Sequence, residues 1–141
     1  RDWGGSHFSW LDASTRAVTV YPKELPGTSW HVTFTVGKED ELPHRLAPGI
    51  LDWDGHCTWS PDGRWMSTEG YYDKTRHRNW VLMRRADEAT IPVGSFAVPK
   101  EYEGDWRCDL HARWRHDGRK LGFNSVHEGT RQIYVIDVGE R

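Results

Sequence analysis

Short runs of β-branched and aromatic residues, broken by polar turns bearing glycine or proline, follow one another along the whole chain. The runs "WHVTFTV" at 30–36, "NWVLMRR" at 79–85 and "RQIYVIDV" at 131–138 have the composition of pleated strands. Between them Gly and Pro recur too often for an apolar face at helical spacing, so the pattern predicts strands and almost no helix. At 60–63, "SPDG" between two such runs has the residues of a hairpin turn.

The runs are copies of one another. "HFSWLDASTRAVTVY" from His7, "HCTWSPDGRWMSTEG" from His56 and "HARWRHDGRKLGFNS" from His111 each give His, two residues, Trp, a polar turn and a second run. Each unit then adds a third run, and the first two add a fourth, around "HRLAP" at 44–48 and "TIPVGSFAV" at 90–98. Four short antiparallel strands repeated every ~40–50 residues predict an all-β fold of β-propeller blades. About three four-stranded repeats are expected in one partial domain over 1–141, at about 7–50, 56–100 and 111–141. Propellers close with ~4–8 blades, so three leave a ring open. The chain starts just before an inner strand and stops before the third unit's fourth, and the expectation is a portion of a larger propeller. Self-association of two such chains into a six-bladed ring is the alternative, because uncovered edges invite aggregation.

The first strand of a blade lines the axis, which is expected to bring His7, His56 and His111 together, while Trp10, Trp59 and Trp114 alternate to the opposite face and pack between blades. Converging neutral imidazoles point to a divalent cation. Duplication of a scaffold histidine would give the same repeat. "CDLH" adds Cys108 at a spacing that could join His111 on a metal, whereas Cys57 follows His56 directly and is read as core. The loops expected on the same face carry Asp2, Asp52, Asp54, Arg107 and Asp109, and Tyr71, Tyr72, Asp73, Arg76, His77, His127, Glu128 and Arg131. Such a rim suits an anionic or polyhydroxylated ligand, with arginine available for bidentate contact to a carboxylate.

Composition narrows the partners. Nine Trp and fourteen Gly in 141 residues suit strands and turns. No apolar run approaches the ~20 residues of a membrane-spanning helix. A formal net charge of −2, with basic and acidic residues interspersed, offers no track for phosphates, which excludes nucleic acid as the expected partner. Two cysteines do not make a disulfide framework, and the compartment stays open.

With "GSHFSW", "HCTWSPDGRW" and "RCDLHARWRHDGRKLGFNSVHEGTRQIYVIDV", the chain resembles the propeller polysaccharide lyases of the oligogalacturonate lyase type and, more broadly, TolB-like propellers. "RCDLHARW" and "SVHEGTRQ" carry the narrower likeness. The resemblance implies metal-assisted β-elimination of a uronate-containing oligosaccharide, with Mn²⁺ or Zn²⁺ as the cation. Carried over by motif, it implies His7, His56, His111 and Gln132 as metal ligands, His127, Arg107 and Tyr71 as catalytic groups, and Arg76 and Arg131 as substrate contacts. A non-catalytic TolB-like propeller that binds a protein or sugar is the other reading.

Overall fold

The computed structural model describes residues 3–22, 25–38 and 40–139; Asp2 and the end of the third unit at 140–141 lie outside them. Strands β1 (Gly4–Trp10), β2 (Thr15–Tyr21), β3 (Trp30–Thr35) and β4 (His44–Arg45) form one antiparallel sheet in chain order. The same meander recurs in β5 (Gly55–Trp59), β6 (Trp65–Gly70), β7 (His77–Arg84) and β8 (Thr90–Ala97), and in β9 (Arg113–Trp114), β10 (Lys120–Ser125) and β11 (Gln132–Asp137). Helical structure among the described residues is a single 3₁₀ turn at Gly104–Trp106. Strand β1 lies against β5, and β5 against β9, so the first strands of the three sheets adjoin.

Local chemistry sets the turns. In the β5–β6 hairpin the Ser60 hydroxyl and the Arg64 amide both donate to Asp62 Oδ1, at 2.6 and 3.0 Å, and Gly63 takes the left-handed φ of 67° that closes the turn. These donors hold the Asp62 carboxyl at about 2, the Ser60 hydroxyl contributing most. Asp12 and Asp117 accept backbone amides in the corresponding turns of the other sheets.

Packing between sheets makes the core. Ala17, Leu46, Leu51, Cys57, Trp59, Met66 and Met83 fill the gap between the first and second sheets. Trp65, Trp80, Leu82, Leu110, Leu121 and Phe123 fill the gap between the second and third. The middle sheet is covered on both faces, and Trp65 to Glu69 on its β6 strand are all buried. Trp80, fully buried, satisfies its indole by donating to Ser67 Oγ at 2.7 Å.

The expected alternation of His and Trp holds only on β5, where His56 and Trp59 take opposite faces of a regular strand. His7 sits in a bulge between Ser6 and Ser9 at φ 54°, and His111 precedes β9 at φ 45°. Two-residue periodicity fails where a strand bulges or has not begun. Trp59 packs between sheets, and Trp114 crosses to donate to Thr58 O at 3.3 Å. Trp10, in contrast, is 45% exposed beneath the Arg16 guanidinium, 4.2 Å away, on the outer face of the first sheet.

His31 is a buried imidazole outside the repeat. Its Nδ1 faces Leu51 O at 3.3 Å and its Nε2 faces Thr68 Oγ1 at 2.9 Å. Nδ1 donates to the carbonyl and Nε2 accepts the hydroxyl, the pattern of a neutral ring. Burial pulls its pKa down to about 4. The unfolded chain therefore binds the extra proton between the ordinary histidine value and about 4, and stability contributed by neutral His31 is lost as pH falls through that window, at up to about 1.4 kcal/mol per pH unit. Urea midpoints measured from pH 7 to pH 4 are expected to fall, and to fall less steeply in His31→Gln.

Gly55 admits no side chain: a Cβ there would sit 2.1 Å from Glu69 O and 2.7 Å from the Trp53 ring. Gly55→Ala is expected to cost about 3 kcal/mol in a denaturant titration, the upper range for overpacking, because the backbone of β6 has to move.

Candidate functional site

Three imidazoles, one from each repeat, lie in a row where the inner strands adjoin. The His7 and His56 rings are 4.3 Å apart between centroids, and those of His56 and His111 are 3.9 Å apart. The repeat thus brings together the three histidines that the sequence singles out. Each has a carboxylate: His7 Nδ1 is 2.9 Å from Asp54 Oδ1, His56 Nδ1 is 2.9 Å from Glu69 Oε1, and His111 Nε2 is 3.7 Å from Asp109 Oδ2.

The carboxylates are held as firmly as the rings. Glu69 is 1% exposed, and its Oε1 also accepts the His111 backbone N–H at 3.0 Å. Arg78, equally buried, donates to Gly70 O at 3.0 Å and to Asp109. Arg107 Nε donates to the same Asp109 carboxylate at 2.9 Å. Burial first, and then the neighbouring His56, holds His111 below the usual imidazole pKa, which favours the neutral ring that can ligate.

One ligand atom from each of His56, Asp109 and His111 lies within 4.8 Å of the other two. Two imidazoles and a carboxylate suit Zn²⁺ or Mn²⁺. The residues fit a cation in a further respect. Glu69 occupies His56 Nδ1 and leaves Nε2 available to a ligand, an arrangement usual at metal-bound histidines. His7 packs against His56 with its ring tilted by 58° but is not one of the three.

Tyr71 lies beside the row. Its ring is 6.3 Å from that of His7, with the Arg107 guanidinium 4.9 Å above it. Burial, followed by the charge of Asp54, raises the pKa of its phenol. A cleft of about 210 Å³ lies beside His111, lined by Arg107, Cys108, Asp109, Asn124 and Arg131. A second, of about 300 Å³, is lined by Tyr71 together with Trp53, Asp54, Asp73 and Asn79.

Other residues named from the sequence fall elsewhere or are otherwise engaged. Gln132 opens β11, two strands out from β9, and donates to Thr130 Oγ1 at 3.1 Å. His127 pairs with Ser125 Oγ at 2.7 Å and packs against Phe96 and Tyr134, on strands β8 and β11. Arg76 donates to Val98 O and Pro99 O, at 2.9 and 3.1 Å. Arg131 donates to Trp106 O and Arg107 O, at 3.1 and 3.0 Å, while lining the cleft. Cys108 is buried against Val98 and Val126, and it is Asp109 that joins His111 in the donor group.

Glu69 had no sequence signal beyond being a lone charge in "WMSTEG", a run otherwise fit for burial. Asp109 and Asp54 belong to the expected rim, where nothing in the sequence assigns them a partner. Asp109 and His111 are two residues apart, but His111 has a left-handed φ of 45° and strand alternation does not pair them; the pairing is read from the structure.

Both thiols are buried and free, and burial pushes Cys57 up to about 12 and raises Cys108. Neither is expected to react with a thiol-specific disulfide reagent in the native protein at pH 8, and both are expected to react in denaturant. Fast labelling of Cys108 in the native state would contradict its burial.

No protein-family model and no curated protein matches the chain. Solved structures do. An oligogalacturonate lyase in complex with manganese superposes with a TM-score of 0.73 at 19% identity, over 98% of this chain and 36% of that one. TolB from Acinetobacter baumannii gives 0.70 at 19%, over 97% of this chain and 30% of that one. The putative TolB from Agrobacterium tumefaciens gives 0.64 at 20%, over 90% and 40%. The chain thus spans 30% to 40% of the length of these proteins. No helix among the described residues is long and apolar enough to cross a membrane. The likeness is one of fold, and together with the three adjoining meanders it makes this chain part of a β-propeller.

Proposed function

We propose that this chain contributes the metal centre and part of the substrate face of a carbohydrate-active propeller that cleaves uronate-containing oligosaccharides by β-elimination. The observation that carries the reading is the convergence of His56, Asp109 and His111 beside an arginine-bearing cleft. The manganese in the lyase that shares the fold supports the choice of cation. Held by these three residues, Mn²⁺ or Zn²⁺ would neutralise a uronate carboxylate and so acidify the carbon next to it.

The remaining steps belong to side chains. Arg107 and Arg131, on the cleft wall, orient the carboxylate. With Nδ1 donating to Asp54, His7 keeps a free Nε2 lone pair and serves as the base that takes the proton from the carbon beside the carboxylate. The electron pair left behind forms the double bond, and the glycosidic oxygen on the next carbon departs. Tyr71 retains its proton and delivers it to that oxygen. Gln132 and His127, held among outer strands, serve the scaffold in this scheme.

A second reading is a non-catalytic propeller that binds a protein or sugar through the same face, as a TolB-like domain. What favours it is that Arg76 and Arg131 both direct donors to backbone carbonyls. Manganese titration followed by electron paramagnetic resonance is expected to give one tightly bound ion per chain, lost in His56→Ala/His111→Ala. Ultraviolet absorbance is expected to report an unsaturated product from oligogalacturonate. A protein that takes up no metal and forms no product would sink the lyase reading, and metal uptake without product favours the second.

A further inference from the structure

We infer that Glu69, through a single buried oxygen, is the positioning residue that sets the geometry of the imidazole row. Its Oε1 meets two groups from different sheets: the His56 ring at Nδ1, 2.9 Å away, and the His111 main-chain N–H, 3.0 Å away. The amide can only donate, so Oε1 is an acceptor there, and the same acceptor draws the His56 proton onto Nδ1. The inference rests on the metal reading above for its purpose, since this tautomer turns His56 Nε2 outward as a lone pair.

The second contact does a different job. His111 stands at φ 45°, a left-handed conformation that L-residues other than glycine adopt seldom and at a cost. Strain of this kind persists only where the surroundings fix it, and here the fixing group is the carboxylate that accepts the strained residue's own N–H. Residues 109 and 111, two of the three in the donor group, are thus tied to the middle sheet at both points: Asp109 by Arg78, and His111 by Glu69. Both tethers are 1% exposed and come from neighbouring strands, β6 and just inside β7.

A structural buried carboxylate would need only to be satisfied. A positioning one makes a claim about a proton, and that proton is observable without any metal. Long-range ¹⁵N–¹H correlation spectra of the metal-free protein, with His56 assigned from its own variant, are expected to show His56 protonated at Nδ1 in the wild type. In Glu69→Gln, whose amide can turn a donor towards the ring, the Nε2–H form is expected to appear, and Mn²⁺ affinity is expected to fall about 10- to 100-fold. The conservative Glu69→Asp keeps the charge but shortens the reach, and is expected to bind Mn²⁺ more weakly than the wild type. Far-ultraviolet circular dichroism monitors folding of both variants; should neither fold, the wild-type spectrum still decides. His56 protonated at Nε2 in the wild type, or a folded Glu69→Gln with undiminished affinity, would overturn the role of Glu69. Failure of the wild type to bind Mn²⁺ overturns the metal reading instead, and the Nδ1 proton then stands or falls on its own spectrum.

Discussion

A carboxylate buried in the middle sheet has to find hydrogen-bond donors, and no donor set within one sheet supplies them all. An uncompensated buried charge costs several kcal/mol, so the position of Glu69 is tolerable only if neighbouring elements bring N–H groups to it. One comes from His56 in the same sheet and one from the main chain at His111 in the next. Arg78 repeats the logic with the opposite sign, placing a buried guanidinium against Gly70 O and Asp109. Two buried charges of the second sheet therefore lock onto one short segment of the third, and the offset between those sheets follows from satisfying both. The same ties hold His111 beside His56, their ring centroids 3.9 Å apart.

What the sequence revealed was local or repeated. Strand runs and aspartate turns are decided by neighbours a few residues away, as in the Ser60 to Arg64 turn, so they are legible in a short window. The three histidines are visible because duplication prints the same pattern, His, two residues and Trp, three times. Glu69 and Asp109 are not, because their meaning lies in pairings across sheets: Glu69 with His111, and Arg78 with Asp109, join residues far apart in the chain. Motif analogy carried Gln132 and His127 to the site. Strand order, which no motif encodes, puts Gln132 two strands away from β9 and packs His127 against Phe96 and Tyr134. The bulge at His7 likewise escapes a period-two argument, because a bulge is the place where that period slips.

The tryptophans show the same division between what repeats and what differs. Trp59 and Trp114 both work between sheets, whereas Trp10, at the same place in the repeat, lies on the outer face of the first sheet with Phe8 beside it, both exposed. On the third sheet Ile133 and Val135 project from β11 in the same way, 79% and 63% exposed. The expectation of further blades, or of a second chain, concerns these two faces. The middle sheet alone has neighbours on both sides, and it holds the carboxylate and the guanidinium on which the site is built.

The left-handed backbone at His7 and His111 bears on how this surface can be altered without being destroyed. A β-branched or bulky replacement at either place meets a backbone it cannot comfortably adopt, whereas asparagine and aspartate, like histidine itself, enter that region several times more readily than most side chains. The substitutions that sequence drift can sample at these two positions are accordingly narrow. His7→Asn and His111→Asn remove an imidazole while keeping the conformation, whereas valine or isoleucine would disturb the strand path and the chemistry together. The row thus carries its own filter on replacement, set by main-chain sterics and independent of what the rings bind.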